Sequence, residues 1–396
     1  MESQHVKIRE FEGLRDVKQV ECLEKRCEVG PSGKISLFTD LMGDPICRVR
    51  HSPAYVMLVA ELGPGGEIVG LIRGCIKTVT CGKKTPTLCA KAAYILGLRV
   101  SPTHRRMGIG LKLVQSLERW FKENGAEYAY MATEKENEAC IKLFDGKLNY
   151  KKFRTPAILV HPVYAHSRRI RSSVKIQKLG VQEAESLYRL YLGTREFFPQ
   201  DIDAILKNRL SLGTWAAFPQ EEEWPRDGKN APFPTSWAIL SVWNSSDVFK
   251  LEVKGVSRLK YLLAATTRFF DGAFPWLKIP SIPDVFHPFG LHFLYGLHAE
   301  GIQAQKLMKE LYWFAHNMAR KNGDGCRLIA TEVGSCDPLR PCIPYWDCFS
   351  CPEDLWCIKK LKDDSVPDHD HDDHHNHGDW TKSTPEPTLF VDPRDF

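Results

Sequence analysis

Two arginines and two glycines lie close together where an apolar, strand-like stretch changes into a helical pattern. Residues 99–114 read RVSPTHRRMGIGLKLV. The first turn of a helix presents unpaired backbone amides and the positive end of the helix dipole, which together favour a phosphate group. Gly108 and Gly110 let those amides approach an anion with no Cβ in between, and Arg105 and Arg106 add charge. The spacing R-x-x-G-x-G therefore predicts a loop that binds a pyrophosphate.

Other phosphate-binding loops have different spacings. The sequence has no Gly-Lys-Ser/Thr triplet of a P-loop, and its two glycines lack the third glycine of a dinucleotide-binding fingerprint. The simpler interpretation is a helix start eased by glycine, with two solvated arginines. The position between an apolar strand and a long amphipathic helix favours the phosphate loop over that interpretation.

The elements that position this loop follow from hydrophobic periodicity. Apolar residues recur every three or four positions from Ile109 and stop at Asn124 and Gly125, which predicts a helix with a C-terminal glycine signal. Two apolar strand patterns flank the turn GPGG, which predicts a hairpin. The predicted order is strand, helix, hairpin, strand, long helix, strand, short helix and strand. This order is typical of a mixed α/β unit.

The same order of patterns begins again after a connector. Residues from about 157 to 173 contain Pro, Ser and Arg and are predicted to connect two units. Beyond them, FLYGLHAEGIQAQKLMKELYWFAHNMARKNGDGCRLIATEV resembles YILGLRVSPTHRRMGIGLKLVQSLERWFKENGAEYAYMATE, and both contain Ala-Thr-Glu at the end of the last strand. We interpret this as a tandem repeat of one fold. An unrelated α+β domain with a coincidental match is the alternative.

The second copy lacks the phosphate loop. Its segment HAEGIQAQKL has one glycine and an acidic Glu300 where the first copy has arginines, and a carboxylate at a helix N-terminus repels phosphate. We expect no cofactor there. The predicted domains are residues 1–165, a connector at 166–173, the degenerate copy at 174–362, and an acidic His-rich tail with a closing segment at 363–396. The apolar residues of the closing segment indicate that it packs back on the body.

The composition is that of an ordinary soluble globular protein. The chain has 396 residues, of which 43% are hydrophobic and 26% charged, with a net charge of +5. The sequence opens without an apolar signal segment and has no window of about 18 apolar residues, so we expect neither secretion nor a membrane span. The 13 cysteines, an odd number, favour reduced thiols in the nucleus or cytoplasm. The weak positive charge does not indicate direct nucleic-acid binding.

Two groups of residues have the type of metal ligands but not their usual arrangement. Cys348 and Cys351 form one C-x-x-C pair with other cysteines nearby, yet the regular paired spacing of a structural zinc site is absent. A tract of histidines and aspartates within residues 362–378 would bind transition metals only weakly. We expect no metal site.

Long stretches of the chain resemble one known family. LGLRVSPTHRRMGIGLKLV resembles motif A of the GNAT superfamily of acetyl-coenzyme A dependent N-acetyltransferases, and the elements of residues 4–165 are similar to that fold in order and length. Stretches such as RCEVGPSGKISLFTDLMGDPICRVRHSP, GLIRGCIKTVTCG and the closing FVDPRDF resemble the plant HOOKLESS-type probable N-acetyltransferases. The resemblance implies an α/β GNAT fold with a mixed sheet, acetyl-CoA as acetyl donor and no metal. It also implies a plant protein of the nucleus or cytoplasm with a role in hormone-controlled differential growth.

The resemblance implies a single cofactor site. The backbone of Leu98 and Val100 would hydrogen-bond the pantetheine arm at a strand edge, and the loop that follows would hold the pyrophosphate through its amides. Asn137 matches an asparagine that commonly contacts the cofactor, and a plain helix cap explains it as well. The residues implied at the cofactor are Leu98, Arg99, Val100, Arg105, Arg106, Met107, Gly108, Ile109, Gly110 and Asn137.

The sequence offers fewer clear candidates for the groups that move protons in the reaction. A lysine-type amine has a pKa of about 10.4, so its attack on a thioester requires a base. Tyr94 stands where some family members have a glutamate base, and Phe144 stands where many have a tyrosine acid. The other candidate bases are Glu61, Glu134 and His51, and a structural or surface role is an alternative for each. A thiolate leaving group, with a thiol pKa of about 8.5, tolerates the loss of the acid.

An insert at residues 30–53 lies where the family fold places its substrate-binding helix and loop. Asp40, Asp44 and His51 could meet a basic amine there, although turn formation is the simpler explanation for the aspartates. We expect an N-acetyltransferase that acts on a protein lysine, in a histone or regulatory protein, or on a small amine. The alternative is a non-catalytic regulator that keeps the fold and binds acetyl-CoA or protein partners. Neither hypothesis includes a membrane partner.

Overall fold

The structure, a computed structural model, describes residues 6–27, 36–63, 65–83, 87–225, 232–322, 325–361 and 379–396. These residues form two mixed β-sheets covered by helices, and a two-stranded ribbon. The expected α/β fold is confirmed.

The strands are β1 Val6–Glu10, β2 Ser36–Asp40, β3 Ala54–Leu62, β4 Glu67–Thr80, β5 Cys89–Val100, β6 Tyr128–Glu134, β7 Lys151–Arg154, β8 Ala157–Pro162, β9 Val174–Leu179, β10 Ser211–Pro219, β11 Trp237–Asn244, β12 Lys250–Lys254, β13 Gly290–Glu300, β14 Cys326–Val333 and β15 Asp354–Lys360. The α-helices are α1 Gly13–Arg26, α2 Ile109–Glu123, α3 Glu138–Ile141, α4 Val181–Leu192, α5 Ile202–Lys207, α6 Arg258–Ala273 and α7 Ala304–Lys321.

The first sheet has the strand order β1-β3-β4-β5-β6-β15-β7. Strands β5 and β6 run parallel, and the other neighbours are antiparallel. Helix α2 packs on one face through the buried side chains of Leu113, Leu117 and Phe121. The helix approaches β4 closely, since a Cβ at Gly74 would lie 2.6 Å from Cζ of Phe121. Helix α1 covers the opposite face of β3 and β4.

The second sheet, with the order β8-β14-β13-β11-β10-β9, repeats this plan. Strands β13 and β14 run parallel, and helix α7 packs on one face. Gly97 of β5 and Gly296 of β13 have left-handed φ angles of 63° and 64°. Each glycine lies at a shift in register with its antiparallel neighbour, β4 or β11. The predicted tandem repeat is therefore confirmed, and both copies have a glycine bulge at the same position of the sheet.

The two halves of the chain exchange strands. Strand β8 follows β7 directly but joins the second sheet beside β14, while β15 enters the first sheet between β6 and β7. The prediction that residues 157–173 only connect two units was wrong, because Ala157–Pro162 is a strand with mostly buried residues. Its apolar run requires a sheet covered on both faces. The domain limits stay a prediction, but no single cut in the sequence separates the two sheets.

A shared core joins the inner faces of the two sheets. It combines large aromatic side chains of both halves with those of the closing segment at residues 379–396. The ring centroid of Phe197 lies 5.2 Å from that of Trp356 and 5.7 Å from that of Trp380. The prediction that the closing segment packs back on the body is confirmed. The predicted His-rich tract, within residues 362–378, lies outside the described residues.

Buried ion pairs fix the closing segment between the halves. Nζ of Lys77 lies 3.2 Å from Oδ2 of Asp392 and 2.5 Å from Oδ2 of Asp395. Nη1 of Arg394 lies 2.6 Å from Oδ2 of Asp201. Because Lys77 belongs to the first sheet and Asp201 to the second half, the closing segment ties the halves together.

The ribbon of β2 and β12 also links the halves, since these strands come from opposite sides of the connector. The chain then forms turns from Met42 to Ser52, where a substrate-binding helix and loop were expected. No helix forms in the described part of this insert, residues 36–53. Within the described ranges, no helix combines the length and apolar character needed to cross a membrane.

Candidate functional site

A wedge opens between β5 and β6. The two parallel strands are paired as far as Ile95, which lies opposite Met131. Beyond this point β5 continues along β4 to Val100, and β6 continues along β15 to Glu134. The strands therefore diverge, and β5 presents an edge from Leu96 to Val100 toward the gap.

The predicted phosphate loop follows the end of β5. After a 3₁₀ turn at Pro102–His104, Arg106 and Gly108 adopt left-handed conformations with φ of 64° and 79°. Backbone of this kind directs successive amides toward one point. Gly108 is the N-cap of α2 and has no side chain to cap it, so the first-turn amides stay available. With Arg105, Arg106 and Met107 exposed beside them, this geometry suits an anion such as pyrophosphate.

Gly110 leaves space between α2 and the wedge. A Cβ at this position would lie 3.6 Å from Leu143, 3.8 Å from Val100 and 3.9 Å from Leu98. Leu98 and Val100 belong to the predicted pantetheine-binding edge and are partly buried, while Ile109 is buried in the core. The start of α2 therefore packs close to the edge of β5, where a Cβ at Gly110 would be in ordinary van der Waals contact. Contact of these residues with a cofactor stays a prediction.

Two of the implied cofactor residues have partners within the protein. Nε of Arg99 donates to Oε2 of Glu24 at 3.1 Å, and Nη1 of Arg73 donates to Oε1 at 2.8 Å. Burial alone would raise the pKa of Glu24, but the two guanidinium charges hold it below its usual value. Asn137 is the N-cap of α3, where its side chain accepts from N of Cys140 at 3.2 Å. The side chains of Arg99 and Asn137 therefore support the local fold.

Neither family position for a base or an acid has a group suited to that role. The ring of Tyr94 stacks on that of Tyr130, with centroids 4.8 Å apart. Burial, and then the charges of Asp395 and Asp354, raise the pKa of Tyr94 well above 10.0. Its hydroxyl stays protonated and can at most relay a proton. Phe144 is buried in the core and has no acidic proton.

Glu61 is paired with two arginines near the edge of the first sheet that β1 forms. Its carboxylate near the end of β3 pairs with Arg9 and Arg15. The hydrogen bond from Arg9 is the main cause that holds the pKa of Glu61 below its usual value. A carboxylate held in this way is a weak proton acceptor, so Glu61 serves the attachment of β1.

Three carboxyl groups meet beyond the point where β5 and β6 diverge. Glu134 ends β6, and Asp354 of β15 lies directly opposite it. The indole N–H of Trp356 donates to Oε1 of Glu332 at 3.0 Å and to Oδ2 of Asp354 at 3.2 Å. Burial, and then the charge of a neighbouring carboxylate, raises the pKa of each, that of Asp354 to about 7. A carboxyl group with the pKa of Asp354 can accept a proton near neutral pH.

Sequence reasoning identified Glu134 and missed its two neighbours. Glu134 and Glu332 occupy the same position of the repeat, since each follows Ala-Thr at the end of a strand. The repeated Ala-Thr-Glu triplet was the signal for Glu332. Asp354 left no such signal, because the strand exchange alone brings it to the first sheet.

His51 lines a pocket at the junction of the halves. Nδ2 of Asn208 lies 3.1 Å from Nδ1 of His51. Burial, and then three neighbouring arginines, lower the pKa of His51, so the ring is neutral at pH 7 and a weak base. The pocket is formed by the turns of the insert, by the second half and by the closing segment, and its lining includes Cys47, Arg48, His51, Trp243, Phe249 and Arg394.

The two aspartates of the insert serve its turns. Oδ1 of Asp40 accepts a hydrogen bond from N of Met42 at 3.0 Å. Asp44 forms an ion pair with the exposed Arg50. Turn formation, the simpler of the two expectations, explains both residues.

The second sheet has neutral groups where the first has charges. Tyr188 and Ser241, with hydroxyl oxygens 2.7 Å apart, occupy the place beneath the glycine bulge that Arg73 and its carboxylate partner occupy in the first sheet. At the end of β13, Oε1 of Glu300 lies 3.4 Å from Nε2 of His298. These differences give a physical reason for the expectation that the second copy binds no cofactor, which stays a prediction.

The cysteines of the C-x-x-C pair do not gather around one point. Cys348 is exposed, and the backbone of Cys351 pairs with that of Ile158 in an isolated β-bridge. The nearby Cys342 thiol donates to O of Leu339 at 2.9 Å. Across the residues that the structure describes, no three His, Cys, Asp or Glu side chains are placed to hold a metal ion. The expectation of no metal site stays a prediction, because the histidine tract lies outside these residues.

The sequence is similar to known acetyltransferases. Residues 19–150 match the sequence profile of the Acetyltransferase (GNAT) family. The chain is 54% identical to the probable N-acetyltransferase HLS1 of Arabidopsis thaliana, over 98% of this chain and 99% of that protein. It is 39% identical to the acetyl transferase GW6a of Oryza sativa subsp. japonica, over 99% of this chain and 97% of that protein.

The fold is similar to a solved structure of very different sequence. The N-myristoyltransferase of Saccharomyces cerevisiae, with bound myristoyl-CoA, superposes with a TM-score of 0.58 at 10% identity. The match covers 91% of this chain and 80% of that chain. The likeness therefore extends over both sheets and concerns the fold alone.

Proposed function

Since the chain belongs to the GNAT acetyltransferase family, we propose that it transfers an acetyl group from acetyl-CoA to an amine. The observation that supports this proposal most directly is the wedge between β5 and β6 with the glycine loop at its end. The free edge of β5 suits the amide-rich pantetheine arm, and the exposed amides and arginines suit the pyrophosphate. The names of the relatives support an amine as acceptor.

The carboxyl groups beyond the divergence point complete the proposed chemistry. The amine nitrogen attacks the thioester carbonyl, the new C–N bond forms, and the C–S bond breaks with release of the thiolate. The proton that the amine loses passes to Asp354, which shares the indole N–H of Trp356 with Glu332 and lies opposite Glu134 in the sheet. The thiolate needs little help from an acid, which agrees with a buried Phe144 at the family acid position.

Reversing the charge of the loop tests donor binding. We expect Arg105→Glu/Arg106→Glu to weaken acetyl-CoA binding at least about 10-fold, because two carboxylates replace two guanidinium groups beside a pyrophosphate. Isothermal titration calorimetry on the full chain measures this affinity. Arg119→Glu, an exposed change on α2, is the matched control and should leave binding unchanged.

The same experiment separates the proposal from its alternative. Equal affinity of the loop variant and the wild type, or no acetyl-CoA binding by the wild type, would contradict the assignment of this loop. Binding without release of free thiol, across peptides, polyamines and amino acids, would favour the non-catalytic regulator. The protonated Tyr94 and the buried Phe144 are the observations that favour that second function.

The finer parts of the proposal rest on the resemblance to HOOKLESS-type proteins. We propose a protein lysine or a small amine as acceptor, and a role in hormone-controlled growth of a plant, in the nucleus or cytoplasm. The plant relatives support the setting. Localisation of a fluorescently tagged chain and the growth of a null mutant would test it.

A further inference from the structure

Arg48 is a partly buried cation that forms no ion pair with any residue the structure describes. It lies in the turns of the insert, and its Nε is buried and makes no hydrogen bond. Among the residues that the structure describes, no carboxylate forms an ion pair with it, and its nearest favourable contact is the ring of Phe249, 5.2 Å from Cζ. A partly desolvated guanidinium without an anion is unfavourable, and an anion that binds it removes part of this cost.

The carboxylate that interacts with the charge of Arg48 is Glu24, which is already paired with Arg73 and Arg99. Burial is the main unfavourable influence on its charged form, and the charge of Arg73 adds repulsion. Arg394, which lines the same pocket, is already paired with Asp392 and Asp201. Among the described residues that line the pocket, Arg48 is therefore the cation without an ion-pair partner.

The pocket lies close to the wedge. Tyr94 packs against the shared core that contains the pocket residues Cys47, Trp243 and Phe249. Tyr94 stands on β5 one residue before the last pair with β6. An anion on Arg48 would thus lie near the place where the donor's thioester and the attacking amine meet.

We propose that Arg48 binds a carboxylate of the acceptor, so that the acceptor is an amine that carries a carboxylate a short distance away. This inference rests on the proposed acetyl transfer and specifies its substrate class. The planar fork of a guanidinium matches a carboxylate through two parallel hydrogen bonds. The aromatic walls from Trp243 and Phe249 favour the alkyl part of such a molecule over a hydrated polyanion. A free amino acid and a lysine beside an acidic residue of a peptide share this chemistry.

Matched pairs of probes test the proposal. The first pair is L-ornithine and putrescine, which differ by one carboxylate. The second pair is a short peptide with Lys-Glu and the same peptide with Lys-Gln. Calorimetry on the full chain with coenzyme A present measures binding, and thiol release from acetyl-CoA measures turnover. The first pair reports a free amino acid as the source of the carboxylate, and the second pair reports a peptide.

We expect the wild type to favour the carboxylate member of at least one pair by about 10-fold or more, and Arg48→Met to abolish that preference. Arg50→Met is the matched control, since Arg50 is exposed two residues away, and it should keep the preference. No preference in the wild type, no binding of any carboxylate probe, or a preference retained by Arg48→Met would overturn the proposal. Acetyl-CoA binding, measured separately, distinguishes these results from failure of the proposed function.

Discussion

Asp354 is the residue on which the proposed proton transfer depends most. It comes from the far end of the second half, lies opposite Glu134, and shares the indole N–H of Trp356 with Glu332. Burial is the main cause that raises the pKa of each of the three carboxyl groups, and Asp354 raises that of Glu332 further while Glu134 raises that of Asp354. Asp354 is therefore the proposed proton acceptor, because the family positions at Tyr94 and Phe144 offer none.

The pH dependence of turnover follows from the raised pKa of Asp354. The carboxyl group must be ionised to accept a proton, so kcat should fall as the pH decreases through about 7. The amine itself requires loss of a proton with a pKa of about 10.4, which gives a second rise at higher pH. We expect Asp354→Asn to lower kcat by about 100-fold and to remove the transition near 7. Thiol release between pH 5 and 9 is the measurement.

Glu353→Gln is the control for this change. Glu353 is exposed and pairs with Lys135, one residue before Asp354. This variant should keep both the rate and the pH profile of the wild type. A wild-type profile in Asp354→Asn would assign the proton to another group of the set, and Glu134→Gln would then be the variant to compare.

At the scale of elements, α2 is the part that positions the phosphate loop. Its close approach to β4 depends on Gly74, where a Cβ would lie 2.6 Å from the ring of Phe121. Gly74→Ala forces the ring or the helix to move, and we expect it to lower the free energy of unfolding by about 1–3 kcal/mol. Urea denaturation followed by circular dichroism measures the change.

Gly146→Ala is a suitable comparison for Gly74→Ala. A Cβ at Gly146 would have no atom within 4 Å, so this variant should be close to neutral in stability. Equal stability of both variants and the wild type would show that α2 can move away from β4 at no cost. Weaker acetyl-CoA binding by Gly74→Ala alone would connect the packing of this helix to the loop at its start.

At the scale of the whole molecule, the closing segment holds the two halves together. Arg394 is buried and pairs with Asp201 of the second half and with Asp392 beside Lys77. Arg394→Met leaves the buried carboxylate of Asp392 with Lys77 as its remaining partner and the partly exposed Asp201 without this partner, so we expect a loss of about 3 kcal/mol in the free energy of unfolding. Urea denaturation of the full chain measures it.

An exposed ion pair provides the contrast for Arg394. Arg189→Met removes a surface pair with Glu185 on α4, which should cost about 0.5 kcal/mol or less. A loss for Arg394→Met no larger than that of Arg189→Met would contradict a role of the closing segment in joining the halves.

The features that the sequence determined by itself are local in the chain. Helix α2, the hairpin of β3 and β4, and the glycine loop follow from periodicity and turn chemistry within about 20 residues. The tandem repeat is visible because two such local patterns recur in the same order. Gly108 was identified from its spacing alone, and its φ of 79° explains why glycine stands there.

The tertiary structure alone decided which distant residues meet. Strand β8 pairs with the second sheet and β15 with the first. Which strand each one pairs with depends on which strands lie beside it in the folded molecule, and no short stretch of sequence encodes that choice. Asp354 and Arg48 are unremarkable in the sequence, since one is an acid at the start of a strand and the other is a cation in a turn. Their chemistry arises from burial and from neighbours that are distant in the chain, such as Glu134 for Asp354 and Phe249 for Arg48, because charge interactions depend on distance in space and not along the chain.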